Sequence, residues 1–243
     1  MNNKWFVDNG NKNSDQEIML CLPYAGASIS MFSTWPKYVM DIAVCPVILP
    51  FRDARRRESL PESLQKLAEI FVEENIDILQ KKYYIFGHCT GAVLAYEIAR
   101  QAYEKTNNEP IAIIASSSQA PKIIPEEALL LANASDLEIK KYLQTEKLID
   151  ETILEMSEFT EYYFPILRSD FRLFAGYHAA FHKFECPIFS IYDPLDTKLS
   201  KDKVQAWKKY TETYKEIFIS GGHYSVLNDP KQITEKINQI IKK

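Results

Sequence analysis

The stretch Tyr83-Tyr84-Ile85-Phe86-Gly87-His88-Cys89-Thr90-Gly91-Ala92-Val93-Leu94-Ala95-Tyr96-Glu97-Ile98-Ala99 decides how the rest of the chain is read. Its first four residues are aromatic or β-branched, which predicts a short buried strand. From Ala92 onward the residues read as a helix. Gly87 and Gly91 stand two places before and two places after Cys89. A side chain held on a sharp strand-to-helix turn needs small neighbours at those two places, because the two backbones close on each other there. The helix that follows also points its positive end at Cys89, which favours a thiolate or a developing oxyanion. Cys89 is therefore the expected nucleophile. A merely structural cysteine would leave both glycines unexplained.

Further out, apolar runs at Ile18–Leu22, Val44–Leu49, Ile111–Ala115, Ile188–Tyr192 and Glu216–Ile219 alternate with amphipathic stretches. Leu64, Leu67, Ala68 and Phe71 recur at helical spacing. So do Ile233, Ile237, Ile240 and Ile241, opened by Asp229-Pro230 as cap and first turn. This alternation predicts an α/β fold with a mostly parallel central sheet flanked by helices. Residues 121–182 break the pattern and read as helices only. Ser135-Asp136-Leu137-Glu138 has the form of a capping box, and Asp150 can cap another helix. The expectation is one domain over residues 1–243, with 121–182 as a helical lid insertion. Phe159, Tyr162, Tyr163, Phe164, Phe171, Phe174 and Tyr177 in that insertion, with Tyr24 from the body, are candidates to line an acyl channel. The same aromatics also suit the inner face of a lid packing on the body.

Composition narrows the class. The chain has 243 residues, 46% of them hydrophobic, and a net charge of −4. That suffices for one packed core and argues against nucleic acid as a partner. No apolar run is long enough to span a bilayer, and Met1-Asn2-Asn3-Lys4-Trp5 lacks the features of a leader, so a cytoplasmic protein is expected. Cys21, Cys45, Cys89 and Cys186 are scattered, which predicts neither a disulfide framework nor a metal site. No metal or nucleotide motif is present, and no cofactor is expected.

The remaining chemistry needs a base, an acid and an oxyanion site. Of the four histidines, His223 lies late, in Ser220-Gly221-Gly222-His223-Tyr224 after the last strand, and is the expected general base. His88 is expected to point away from the nucleophile, and His178 and His182 to be structural or at the surface. The acid should follow the strand Ile188–Tyr192, where Asp193 and Asp196 both preserve the order nucleophile, acid, histidine. The residues alone do not choose between them. Leu22-Pro23-Tyr24-Ala25-Gly26-Ala27 follows the first strand and should supply the second oxyanion amide, so the N–H groups of Ala25 and Thr90 are assigned to that site.

Together these segments resemble the type II thioesterases that accompany nonribosomal peptide and polyketide synthases. Leu20-Cys21-Leu22-Pro23-Tyr24-Ala25-Gly26-Ala27 is similar to that family's first-strand motif. Leu49-Pro50-Phe51-Arg52-Asp53-Ala54-Arg55-Arg56-Arg57-Glu58 is similar to its Pro-Gly-Arg segment, with Phe51 in place of glycine. Leu167-Arg168-Ser169-Asp170-Phe171 and Gly221-Gly222-His223-Tyr224 match two further motifs. The resemblance implies an α/β-hydrolase fold, a monomer, and hydrolysis of acyl, aminoacyl or peptidyl thioesters on the phosphopantetheine arm of a carrier protein. Laid without gaps from Cys186-Pro187 to Ala206-Trp207, the family pattern favours Asp196 as the acid. The basic run Arg52–Arg57 would either attract an acidic carrier protein or close into internal ion pairs. Cys89 departs from the serine usual there. An acyl-cysteine is itself a thioester, so the alternative activity is an acyltransferase that shuttles acyl groups between carrier proteins.

Overall fold

The computed structural model describes residues 3–7 and 16–242; Met1 and Asn2, read above for a leader, lie outside the described residues. Six strands run β1 (Ile18–Leu22), β2 (Ala43–Pro46), β3 (Tyr83–His88), β4 (Ala112–Ser116), β5 (Ile188–Tyr192) and β6 (Tyr214–Phe218). They form one sheet in the order β2-β1-β3-β4-β5-β6, parallel at every pairing. The helices are α1 (Leu64–Glu74), α2 (Ile76–Leu79), α3 (Thr90–Thr106), α4 (Glu126–Leu131), α5 (Asp136–Thr145), α6 (Glu151–Leu154), α7 (Ser157–Ala175), α8 (Lys201–Gln205), α9 (Ser225–Asn228) and α10 (Pro230–Ile241).

Both faces of the sheet are covered, which explains the unbroken apolar runs of its strands. Successive residues alternate between two cores. Leu20, Leu22, Tyr83 and Ile85 enter the core shared with α1 and α3. Met19, Cys21, Tyr84 and Phe86 enter the one shared with α10 and the 3-10 turns near Phe32 and Trp35. Local chemistry sets the helix starts. The Ser63 hydroxyl accepts from Lys66 N–H at the head of α1, and Ser135 and Glu138 close a full capping box on α5. Asp150 accepts from Thr152 N–H at α6, and Asp229 with Pro230 opens α10.

The second strand is shorter than its apolar run. The run Val44–Leu49 predicts six residues in the sheet, but the strand ends at Pro46, with Val47 N–H making a last bond to Cys21 O of β1 at 2.9 Å. Val47, Ile48 and Leu49 stay buried by another route: Ile48 N–H bonds to Trp5 O at 2.8 Å, and the Ile48 carbonyl accepts from Arg55. Phe51, in place of the glycine of the resembled motif, sits at φ 68°, in the left-handed region that glycine enters freely.

Helices α4–α7 all fall between β4 and β5 and lie over the C-terminal ends of the strands. Helical structure stops at Ala175, and residues 176–183 run irregularly, with the Tyr177 hydroxyl donating to buried Glu97 at 2.8 Å. Among the described residues no helix is long and apolar enough to cross a membrane.

Candidate active site

The turn between β3 and α3 is as tight as its glycines suggest. A Cβ on Gly87 would lie 2.3 Å from the backbone of Gly91, and one on Gly91 would lie 2.5 Å from the carbonyl oxygens of Leu22 and Pro23. No side chain fits at either place. Cys89 between them is held at φ 51°, ψ −119°, outside the ordinary region for a residue with a side chain. Its amide is tied to Ser116 O at 2.8 Å, and α3 begins at the next residue. The thiol faces a cavity of about 650 Å³.

The loops after β5 and β6 bring two more groups to this point. His223 lines the same cavity, and its Nδ1–H donates to Asp196 Oδ2 at 2.7 Å. Asp196 Oδ1 accepts from Lys198 N–H at 2.8 Å, which fixes the carboxylate from its other side. Asp193 does different work. It accepts from Leu195 N–H and from Gly222 N–H, both at 2.8 Å, so it ties the histidine loop to the acid loop without touching the imidazole. Those amides hold its carboxyl below the usual range, the Leu195 N–H foremost. Burial opposes a charge on His223. The negative charge at Cys89 and the hydrogen bond to Asp196 outweigh it and push the imidazole up to about 10.

The other histidines are elsewhere or differently held. His88 is fully buried beneath the site, with Nδ1 3.0 Å from Ser116 Oγ and its ring against Tyr24 and His223. Burial, with His223 nearby, pushes it well below the usual range, so it packs there as a neutral ring. His182 lies against Tyr103 and Phe184, and the His178 carbonyl accepts from Gln65.

The oxyanion assignment needs a correction. Ala25 and Thr90 do lie together beside Cys89, but the Ala25 amide is not open to the cavity. It donates to the Thr90 hydroxyl oxygen at 2.8 Å. The loop that carries it is anchored from far away. Gly26 N–H donates to Asp170 Oδ2 at 2.7 Å, and Arg52 grips both oxygens of the same carboxylate while bonding Ala27 O at 3.2 Å. Arg52 and Asp170 are both almost wholly buried. A planar guanidinium across a carboxylate holds geometry as well as charge. The basic run is divided: Arg52 and Arg55 are buried, Arg55 against Glu58 and stacked on Trp5, whereas Arg56, over Tyr162, and Arg57 are exposed.

Of the aromatic candidates, Tyr24, Tyr163 and Phe171 line the cavity, whereas Phe164, Phe174 and the others do not. Helix α7 rises about 1.5 Å per residue, so Phe174 lies roughly 16 Å along it from Tyr163. It reaches a smaller, separate cavity beside Leu49 and Leu173. Phe164 is buried in the main core. Tyr142, Tyr224 and Lys198, outside the candidate set, also line the cavity. Burial pushes the phenols of Tyr24 and Tyr142 up to about 12 and raises that of Tyr224 too, so they meet the cavity as neutral hydroxyls. Lys198 reaches Glu146 at 2.8 Å and Glu127 at 3.3 Å, joining the acid loop to the helical insertion. No local pattern marks Lys198, since its partners lie far off in sequence.

Known proteins carry the same organisation. A family model described as a thioesterase domain matches residues 17–241. The gramicidin S biosynthesis protein GrsT of Aneurinibacillus migulanus is 30% identical over 94% of this chain and 90% of its own. The thioesterase PikA5 of Streptomyces venezuelae is 30% identical over 87% of this chain and 75% of its own. The crystal structure of ClbQ from the colibactin NRPS/PKS pathway superposes with a TM-score of 0.85 at 23% identity, over 93% of this chain and 97% of that one. A parallel sheet, a strained elbow at Cys89 and a sequence match over almost the whole length therefore agree, and the chain belongs to the thioesterase domain family.

Proposed function

We propose that the chain hydrolyses acyl thioesters borne on the phosphopantetheine arm of a carrier protein in nonribosomal peptide or polyketide synthesis, releasing stalled or wrong acyl groups. The observation that carries this is that Cys89 and His223 line one cavity while Asp196, from a third loop, holds the His223 imidazole by Nδ1. The relatives' names support the pathway.

In this reading His223 already carries the proton that Cys89 gives up, and Asp196 holds the imidazole by Nδ1 and stabilises its positive charge. The Cys89 sulfur bonds to the thioester carbon, and the carbonyl pair moves onto oxygen. Collapse of that intermediate breaks the bond to the pantetheine sulfur, which leaves with the proton from His223. Water, deprotonated by His223, then attacks the acyl-cysteine and frees the acid. Every group in this sequence is a side chain or amide of the chain itself. The helical insertion acts as the lid, with α5 and α7 supplying Tyr142, Tyr163, Leu167 and Phe171 to the acyl cavity.

Cysteine at the elbow favours a second reading, acyl transfer. The acyl-Cys89 thioester is nearly isoenergetic with the thioester it came from, so a second carrier thiol can collect it. Intact-protein mass spectrometry with an acyl-loaded carrier tests both. Hydrolysis predicts prompt loss of the acyl mass to free acid. An acyl mass that stays on Cys89 and leaves only when an empty carrier is added supports transfer and sinks hydrolysis. A chain that never gains the acyl mass while the loaded carrier stays intact sinks both.

A further inference from the structure

The bond between Ala25 N–H and the Thr90 hydroxyl changes what the oxyanion site is made of. An amide hydrogen makes one strong hydrogen bond, along the N–H direction. At 2.8 Å from Ala25 N, the Thr90 oxygen stands where an oxyanion bound by that amide would have to stand. Thr90 is 1% exposed, is the first residue of α3, and borders the cavity beside Cys89. A hydroxyl that accepts through oxygen still has one proton to give. In mid-helix, threonine commonly spends that proton on a carbonyl one turn back. Thr90 has no acceptor for it among the described residues, and both Thr90 and Ala25 border the cavity.

We propose that the Thr90 hydroxyl is itself a catalytic oxyanion donor. The Ala25 amide donates to the hydroxyl oxygen, and the polarised O–H donates onward to the developing oxyanion. The Thr90 N–H, at the positive end of α3, is the second donor. Hydrogen bonds in such a chain strengthen one another, so the Ala25 amide acts one bond removed from the reacting oxygen. The oxyanion then lies a hydroxyl's length further from the β1 loop than two backbone amides would place it. The Arg52–Asp170 pair gains a purpose from this, because it holds Gly26 and with it the Ala25 amide on which the chain of donors begins.

This inference rests on the thioester reading above, and the experiment separates the two. The probe is a butanoyl thioester of N-acetylcysteamine, turned over by the wild type and by Thr90→Ser, Thr90→Ala and Thr90→Val. Affinity for a trifluoromethyl ketone analogue, which forms a tetrahedral adduct with a thiolate, is measured in parallel. Thr90→Ser keeps the donor and is expected within about threefold of wild type. Thr90→Ala and Thr90→Val are expected to lose roughly 100-fold in kcat, with KM within about twofold and the ketone bound correspondingly more weakly. A purely structural threonine would leave the ketone affinity unmoved. Thr90→Ala at or above the wild-type rate overturns the hydroxyl assignment, because the freed Ala25 amide would then serve directly. If Thr90→Val fails to fold, the alanine and serine variants still decide. A wild type that cleaves no thioester and gains no acyl mass overturns the thioester reading, and the donor with it.

Discussion

Cys89→Ala removes the reacting atom and also the charge that does most to keep His223 protonated. The His223 imidazole, held up to about 10 in the wild type, is expected to titrate lower in Cys89→Ala, as read from its NMR shifts against pH. The sign of the stability effect follows. The folded chain binds the His223 proton more tightly than an unfolded chain, where the group titrates near 6.5. The contribution is fully present below that pH and is lost as pH rises through about 10. Urea titrations should show the gap in unfolding free energy between wild type and His223→Gln narrowing across that window. At this scale the sequence was read well where spacing dictates chemistry. Cys89, its glycines and His223 follow from the covalent order of a strand, a turn and a helix. Asp196 over Asp193 did not, because both fit the order and only the loop conformation sends one to the imidazole and the other to Gly222.

Two elements meet at the elbow with no room to spare. Gly87→Ala sets a methyl against the Gly91 backbone, which cannot rotate away as a side chain can. Loss of about 3 kcal/mol or more is expected in urea unfolding, or failure to accumulate as folded protein. The contact between α7 and the β1 loop gives a different outcome. Arg52→Met leaves Asp170 as a buried, uncompensated carboxylate and should cost about 3–5 kcal/mol. The double variant Arg52→Met/Asp170→Leu should regain much of that stability, because the apolar pair needs no counter-charge. It should not regain turnover, since Gly26 N–H then has no acceptor and the Ala25 amide is no longer held. A double-mutant cycle in urea set beside kcat checks both halves. The elements themselves were largely legible, with β1 and β5 matching their apolar runs end to end and the α5 capping box where Ser135 and Glu138 stand. The run through Leu49 misled because burial and sheet pairing part company after Pro46. Phe164 and Phe174 misled because position along α7 matters as much as face.

Across the whole molecule, two of the ties between the insertion and the body differ in strength. Asp170 pins α7 through a buried guanidinium. Lys198 pins α4 and the end of α5 through partly exposed carboxylates, Glu127 and Glu146, which bind less firmly. Opening should therefore begin at α4–α6 while the second half of α7 stays put. The double variant Glu127→Gln/Glu146→Gln is expected to speed amide hydrogen exchange over residues 126–155 several-fold and leave Asp170 and its neighbours protected. Exchange read by mass spectrometry on peptides from both segments checks this. None of these fastenings shows in a linear reading, because their partners lie far apart: Arg52 meets Asp170 across 118 positions, and Ala25 meets Thr90 across 65. The same separation has a meaning in time. The ribosome makes about 130 further residues after Cys89 before His223, which at about 5–20 residues per second is on the order of ten seconds. Throughout that interval the thiol exists without its base, and for most of it without Asp196 or the Asp170 half of the clamp on its oxyanion loop. A newborn chain thus passes its most exposed moments chemically unarmed, and acquires its reactivity only once His223 has been made.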